Sequence, residues 1–143
     1  MKTRIHFITL GVKDIRKSRN FYEKILGFEP ATRPKGDIVF FYANNKTLIL
    51  ALYPLKKLAE DAGLKKIAGT GFRGTTLSCN VATENEVDAR IEFLKKKKVK
   101  ILRKPEKAIW GCRTEYFADT DENKCEIEWN PFVKFSKQGD LIF

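Results

Sequence analysis

The sequence has a single histidine, His6, and three cysteines, none of which forms a C-x-x-C pair. A zinc site built on two or three histidines of one chain is therefore excluded, as is an H-E-x-x-H helix. An odd cysteine count predicts a reducing compartment rather than a disulfide scaffold. No apolar run approaches the roughly 20 residues of a membrane helix, and residues 1–6 lack a signal peptide's apolar stretch. We therefore expect a cytoplasmic protein without membrane association.

Acidic side chains are scarce in the first half of the chain. Residues 1–71 carry 14 basic and 6 acidic side chains, residues 72–143 carry 14 and 12, and the net charge is +10. Such a surface favours anionic partners. The densest basic cluster, residues 95–98, follows a helical pattern, and we interpret it as the solvated end of that helix. Because the cluster has no interleaved aromatic residues and the chain has no nucleic-acid motif, we do not expect nucleic-acid binding.

The remaining pattern is an order of strands and helices that occurs twice. A strand, a capped helix and further strands fill each half, and 143 residues suffice for one domain. The sequence therefore predicts one α+β domain, residues 1–143, made of two βαβββ units over about 1–70 and 71–143. The predicted strands cover residues 5–12, 38–42, 47–53, 75–81, 99–102, 113–118 and 124–129, and the two main helices begin at Asp14 and Thr83.

Motifs near both ends of the chain carry a family resemblance. Residues 8–14 read ITLGVKD, residues 18–28 read SRNFYEKILGF, residues 116–121 read YFADTD, and residues 126–131 read EIEWNP. With these motifs so spaced, the chain resembles the vicinal oxygen chelate superfamily, which includes glyoxalase I, bleomycin-resistance proteins and extradiol dioxygenases. The segments ALYP and LAEDAG, at 51–54 and 58–63, are similar to a short branch with no settled reaction. The resemblance implies curved mixed sheets around a concave cleft, with helices outside.

Alternation along the strands predicts which side chains line that cleft. The apolar face of a strand is expected to pack on a helix, which leaves the other face for the cleft. For the strands over 47–53 and 113–118, the sequence does not indicate which set of alternate side chains faces the cleft. The ligand-binding candidates are Phe7, Thr9, Leu50, Thr76, Ser78, Asn80, Trp110, Arg113, Glu126 and Glu128. Hydroxyls, an amide and carboxylates beside aromatic groups favour a small polar ligand.

The resemblance also implies a metal site, which the sequence does not support. Family enzymes bind a divalent cation with ligands from the first and last strands of each unit, positions that fall here on Phe7, Leu50, Thr76 and Glu126. Only Glu126 matches, because Phe7 and Leu50 have no donor atom and a threonine hydroxyl is a poor ligand. We therefore expect no metal cofactor and no ordinary glyoxalase I or dioxygenase activity. A divalent metal held through Glu126 with Glu128 and a chelating substrate is the alternative.

Two functions remain open at this stage. The first is a metal-independent cleft of the bleomycin-resistance type that binds a small anionic or aromatic molecule. Trp110 is the expected stacking residue there. Arg113 would pair with a carboxylate or phosphate if its strand turns that face inward. The net positive charge argues against a cationic ligand.

The second function is a lyase or isomerase in which Glu126 is the general base. Glu126 and Glu128 are two residues apart, so they lie about 6–7 Å apart along a strand. The competing structural interpretation pairs Glu126 with Lys124 or Arg113 and leaves Glu128 solvated. Cys112 is not expected to act as a nucleophile, because the chain has no second histidine to activate it.

The resemblance further implies a homodimer, since single chains of this size in the superfamily commonly share clefts between subunits. The tail is apolar over 132–135 and 141–143. It would dock either on a partner subunit or on its own domain.

Overall fold

The same order of elements occurs twice in the computed structural model, which describes residues 6–31, 36–63, 73, 75–103, 106–107 and 111–142. The chain divides into two units, Met1–Thr70 and Gly71–Phe143. Each unit contains a four-stranded mixed sheet whose first strand pairs in parallel with its last. The predicted α+β class with two βαβββ units is therefore confirmed. No helix in the described part of the chain is long and apolar enough to cross a bilayer.

The first unit builds its sheet in the order β1-β4-β3-β2. Helix α1 continues directly into a π-helical segment, which widens its last turns. The elements are β1 (Phe7–Val12), α1 (Ile15–Asn20), the π-helical segment (Phe21–Ile25), β2 (Glu29–Pro30), β3 (Val39–Tyr42), β4 (Ile49–Pro54) and α2 (Leu55–Asp61).

The second unit repeats the arrangement in the order β5-β8-β7-β6 and adds a small hairpin. A longer helix, α3, contacts β7 and β8. The elements are β5 (Thr76–Asn80), α3 (Glu84–Lys96), β6 (Glu106–Lys107), β7 (Arg113–Ala118), β8 (Lys124–Trp129), β9 (Lys134–Phe135) and β10 (Leu141–Ile142).

The two main helices begin where the sequence predicts, but only one uses the expected cap. The Asp14 carboxylate accepts a hydrogen bond from the Lys17 backbone N–H at 3.0 Å, as an N-cap does. Thr83 occupies the cap position of α3 without a side-chain cap bond. Instead, the Glu86 carboxylate accepts from the Ala82 backbone N–H at 3.0 Å. The Asp14 bond thus satisfies a backbone donor that the helix leaves unpaired, whereas the Glu86 bond ties the first turn of α3 to the residue before its cap.

The helix-facing side of each sheet forms the core. In the first unit, Tyr22 packs its ring against that of Phe41, with centroids 6.3 Å apart, and Leu50 and Leu52 are buried on the same face of the sheet. In the second unit, Val87, Ile91 and Leu94 form the buried stripe of α3. This spacing of three and four residues is the one that the sequence predicts for an amphipathic helix.

The strands predicted over 47–53 and 99–102 differ from the structure for reasons that their contacts show. The strand predicted over 47–53 begins at Ile49, because the Asn44 side chain accepts a hydrogen bond from the Leu48 backbone N–H at 3.0 Å and so extends the preceding turn. The segment 99–102 forms one isolated bridge, between Ile101 and Phe117. The strand that borders β7 is β6 instead. Its two residues are too few to produce an alternating pattern.

A carboxylate is buried between β7 and α3. Glu115 is 1% exposed, and its Oε2 atom has no hydrogen-bond partner. Burial raises the pKa of the Glu115 carboxyl, and Lys95 opposes that shift. Because the folded-state pKa lies above the unfolded value, the carboxyl contributes most to stability below the unfolded pKa. That contribution is lost as pH rises through the folded pKa.

Glu115→Gln is therefore expected to increase the free energy of unfolding at pH 7 by about 1 kcal/mol, because it removes a buried charge. The gain should shrink below about pH 4, where the carboxyl of the unfolded chain is also protonated. Urea denaturation at both pH values measures this difference. The exposed carboxylate Glu92 gives the control variant Glu92→Gln, which should not gain stability. An equal gain at both pH values would contradict the prediction.

Candidate functional site

Three rows of paired side chains cross the second sheet on the face opposite α3. The register of β5, β8 and β7 aligns Ser78, Glu126 and Tyr116 in the central row. Partners in register on neighbouring strands point to the same side of a sheet, so each row presents its side chains together. We call this surface the Glu126 face. Its rows are Ser78, Glu126 and Tyr116; Asn80, Glu128 and Thr114; and Thr76, Lys124 and Ala118.

The contacts of β7 with α3 show which of its side chains face the helix. The Arg113 guanidinium binds the Asp88 carboxylate, with Nη2 and Oδ1 2.5 Å apart, and lies 3.9 Å from the Glu84 carboxylate. Asp88 and Glu84 both belong to α3. Because side chains alternate along a strand, Arg113 and Glu115 face the helix, whereas Thr114 and Tyr116 lie on the Glu126 face.

The central row holds a buried carboxylate between two hydroxyls. Glu126 is 8% exposed. The Ser78 hydroxyl donates a hydrogen bond to Glu126 Oε1. The hydrogen bond from the Tyr116 hydroxyl to the same carboxylate, assisted by burial, raises the pKa of Tyr116 to about 12. A carboxylate that is held by two donors has a defined orientation, which distinguishes Glu126 from a solvated surface carboxylate.

The flanking rows extend this polar surface. Glu128 shares the face and pairs in register with Asn80 on one side and Thr114 on the other. All three are partly exposed. An amide, a hydroxyl and a second carboxylate therefore border the central row, and each can bond to a ligand's polar groups.

The partners of Glu126 differ from those that sequence reasoning considered. Arg113 lies on the α3 side, so it is not the partner of Glu126. For the same reason, the condition under which Arg113 would bind a ligand anion in the cleft is not met. Ser78 and Tyr116 hold the Glu126 carboxylate. Sequence reasoning missed the role of Tyr116, because the pattern over 113–118 does not indicate which face of the strand meets the helix.

The corresponding row of the first sheet has no carboxylate. Thr9, Ala51 and Phe40 are aligned by the register of β1, β4 and β3, and they take the place that Ser78, Glu126 and Tyr116 have in the second sheet. The assignment of Leu50 to the cleft is wrong. Leu50 pairs with Phe41, is 3% exposed and faces the helix side of its sheet. Apart from Thr9, the polar ligand-binding candidates among the described residues lie in the second unit.

The family's metal positions do not hold a set of metal ligands. Phe7 is 56% exposed and has no donor atom, Thr76 offers a neutral hydroxyl, and Leu50 faces the wrong side. Ala51, which corresponds to Glu126, has no donor either. Glu126 alone is a poor site for zinc, nickel or iron, because those ions take three or four protein ligands. Among the described residues, no group of three or more His, Cys, Asp or Glu side chains is placed to hold a metal ion.

Three further residues complete the comparison with the sequence predictions. Trp110, the proposed stacking residue, lies outside the described residues. Cys112 is 2% exposed, which agrees with its being inert rather than nucleophilic. His6 is exposed just before β1.

Comparisons with known proteins place this chain in a family. The model of the Glyoxalase/Bleomycin resistance protein/Dioxygenase superfamily matches residues 4–127. A glyoxalase-related enzyme from Fulvimarina pelagi is 30% identical in sequence, with 99% of each chain covered and a TM-score of 0.86. No curated protein matches the chain.

More distant structures share the fold alone. A glyoxalase/bleomycin resistance protein/dioxygenase from Nocardioides is 22% identical, with 90% of this chain and 84% of that chain covered and a TM-score of 0.75. Lactoylglutathione lyase from Agrobacterium tumefaciens is 17% identical, with 90% and 95% covered and a TM-score of 0.69. The family match over most of the sequence shows that this chain belongs to the glyoxalase/bleomycin resistance protein/dioxygenase superfamily.

Proposed function

We propose that this superfamily member binds a small polar molecule against the Glu126 face, without a tightly held transition metal. The observation that carries the proposal is the buried Glu126 carboxylate, held in place by the Ser78 and Tyr116 hydroxyls. A carboxylate has about four acceptor sites, so two hydroxyl donors leave capacity for a ligand. An acceptor that is already oriented loses little entropy on binding, which favours affinity.

The position of Arg113 changes the ligand chemistry that we propose for this face. An anionic ligand would need a cation beside the central row, but Arg113 binds Asp88 on the other side of the sheet. Lys124 lies in a flanking row and is outnumbered by the two carboxylates of the face. Glu126 and Glu128 would also repel an anion. The Glu126 face therefore suits a neutral or cationic ligand with hydroxyl, amide or amine donors. Stacking of an aromatic group on Trp110 stays a prediction.

The alternative function is a lyase or isomerase in which Glu126 takes a proton or is one ligand of a weakly held divalent metal. The shared orientation of Glu126 and Glu128 favours it, because two carboxylates on one face can divide the roles of base and ligand. The two hydroxyls orient the Glu126 carboxylate, which serves ligand recognition directly and favours binding over proton abstraction.

The proposal is tested by a thermal-shift screen of neutral and cationic metabolites that carry hydroxyl or amide groups, followed by calorimetry of the compounds that stabilise the protein. Glu126→Gln is expected to weaken their binding by about tenfold or more, because hydrogen bonds to a charged group contribute about 1.5–3 kcal/mol. Glu29→Gln, which changes an exposed carboxylate of the first unit, is the matched control and should leave binding unchanged. Ligands that bind Glu126→Gln and the unaltered protein equally would exclude the Glu126 face as the site.

Metal independence is tested separately by titration with Ni²⁺, Zn²⁺, Mn²⁺ and Mg²⁺. We expect no saturable one-site binding that depends on Glu126. Tight one-site binding of Ni²⁺ or Zn²⁺ that Glu126→Gln abolishes would overturn this part of the proposal. Weak Mg²⁺ or Mn²⁺ binding that appears only with a bound ligand would favour the alternative function.

A further inference from the structure

The C-terminal half of α3 carries basic side chains that no carboxylate neutralises. The acidic side chains of this helix are engaged elsewhere: Asp88 binds Arg113, and Glu92 binds Lys95 with Oε1 and Nζ 2.8 Å apart. Four other basic side chains are exposed and form no ion pair with any residue that the structure describes, namely Arg90, Lys96, Lys97 and Lys98. Their charge is therefore available to an external partner.

An exposed aromatic ring lies among these cations. Phe93 is 43% exposed, and the Lys97 ammonium lies over its ring, 5.6 Å from the centroid. Arg90 and Lys96 are three residues before and after Phe93, so both neighbour it on the helix surface. The sequence does not show an aromatic residue within the lysine cluster, because Phe93 precedes it by two positions. We call Arg90, Phe93, Lys96, Lys97 and Lys98 the α3 basic surface.

Lys98 occupies a backbone position that favours glycine. Its φ angle is +59°. The Lys98 N–H donates to the Lys95 carbonyl at 2.9 Å, and the Val99 N–H donates to the Leu94 carbonyl at 3.0 Å. These are the two bonds of a Schellman motif, whose left-handed residue is most stable as glycine. A strained residue other than glycine points to a role for its side chain. Here the side chain adds a cation just beyond the end of α3.

We propose that the α3 basic surface binds an anionic lipid bilayer, with lipid phosphates beside its four cations and the Phe93 ring in the headgroup interface. Clustered basic residues with an aromatic side chain on an exposed helix face have this affinity. Lysine stems can cover hydrocarbon while their ammonium groups stay at the phosphates. Nucleic acid suits the surface less well, because Lys97 covers a face of the Phe93 ring that base stacking would use.

This association is peripheral, so it needs no segment that spans the membrane. It does not rest on the proposed function, because α3 packs on the side of the second sheet opposite the Glu126 face. The two surfaces also differ in charge. Carboxylates dominate the Glu126 face, whereas the α3 basic surface has ammonium and guanidinium groups.

The proposal is tested by sedimentation of the full chain with vesicles of phosphatidylcholine and phosphatidylglycerol, compared with vesicles of phosphatidylcholine alone. We expect binding to the anionic vesicles at about 0.1 M salt and at least about twentyfold weaker binding to the neutral ones. Raising the salt to about 1 M should weaken binding by about tenfold or more, because the Debye length falls from about 10 Å to about 3 Å.

Lys98→Gly separates the charge of Lys98 from its backbone role. It should weaken vesicle binding by about fivefold, the effect of one basic residue near an anionic surface, and should raise the urea midpoint because glycine relieves the strain. Lys46→Gly is the matched control, since Lys46 is exposed, belongs to the first unit and has a φ angle of +61°. It removes the same charge and should alter binding by less than about twofold.

The contribution of the aromatic ring is tested in the same assay. Phe93→Ala should weaken binding to anionic vesicles by about threefold or more, because the ring no longer enters the interface. Phe132→Ala removes another exposed phenylalanine, outside the α3 basic surface, and should have little effect. Alanine is the residue best suited to a helix, so Phe93→Ala keeps α3 intact.

Several results would overturn this proposal. Absence of binding to anionic vesicles would do so, as would equal binding to neutral vesicles. Equal weakening by Lys98→Gly and Lys46→Gly would show that the net charge of the chain, rather than this surface, attracts the vesicles. Duplex DNA that binds more tightly than the anionic vesicles, and whose binding is weakened by Lys98→Gly, would assign the surface to nucleic acid instead.

Discussion

Phe41→Ala is expected to lower the free energy of unfolding by about 3–5 kcal/mol, the cost of removing a buried aromatic side chain and leaving a cavity. Phe41 is 0% exposed at the centre of β3. Its ring lies 6.3 Å from that of Tyr22 and 6.4 Å from that of Phe28, so the substitution removes contacts with both the helix and the chain that follows it. Urea denaturation followed by circular dichroism measures the loss.

Phe132→Ala is the matched control for this substitution. Phe132 is 73% exposed, so the same chemical change should cost less than about 0.5 kcal/mol. Where Phe41→Ala fails to fold, Phe41→Leu keeps the prediction testable, because it leaves a smaller cavity and should cost about 1–2 kcal/mol. A loss for Phe41→Ala no larger than that for Phe132→Ala would contradict the assignment of Phe41 to the core.

The second large effect is expected in the ionisation of Tyr116. Its hydrogen bond to the Glu126 carboxylate raises the pKa of Tyr116 to about 12, whereas an ordinary tyrosine titrates near 10. Glu126→Gln removes the negative charge, so the pKa of Tyr116 should fall toward the ordinary value. At pH 11, Tyr116 should be about 10% ionised in the unaltered protein and several-fold more ionised in Glu126→Gln, in which burial and Glu128 still act on it. NMR of ring-labelled tyrosine measures both fractions.

Two variants sharpen this measurement. Tyr116→Phe identifies the resonance of Tyr116 among those of the four tyrosines. Ser78→Ala removes the other hydroxyl from Glu126 but keeps the charge beside Tyr116. The pKa of Tyr116 should therefore stay well above 10 in Ser78→Ala. A pKa of Tyr116 that is the same in Glu126→Gln and the unaltered protein would show that the central row of the Glu126 face is not assembled as described.

Local sequence signals predicted the elements that depend on near neighbours. The Asp14 cap and the stripe of Val87, Ile91 and Leu94 each depend on side chains within a few residues, and both are present in the structure. Alternation along the strands also predicted that Ser78 and Glu126 share a face. In β8, the apolar residues Cys125 and Ile127 are buried in the core, so Glu126 between them lies on the opposite face.

Where local patterns were ambiguous, predictions failed or stayed open. Strand β4 is buried at Leu50, Ala51 and Leu52 in succession, so its sequence carries no alternation from which a face can be read. Strand β7 alternates, but a charged residue, Glu115, is buried toward α3, and an aromatic residue, Tyr116, lies on the other side. The distribution of polar residues along β7 therefore does not indicate which face meets the helix. The edge strand β6, at Glu106–Lys107, has two residues and no periodic signal.

The sequence by itself determined the fold class, the family and the scarcity of donor atoms at the family's metal positions. Element order, motif spacing and residue type decide these three features, and all are properties of the chain alone. Only the tertiary structure decided that Arg113 turns to Asp88 and that Tyr116 turns to Glu126. The two side chains are three residues apart, and the register between β7 and β8 determines the face of each. That register is a long-range property, since it follows from how the whole sheet packs against α3.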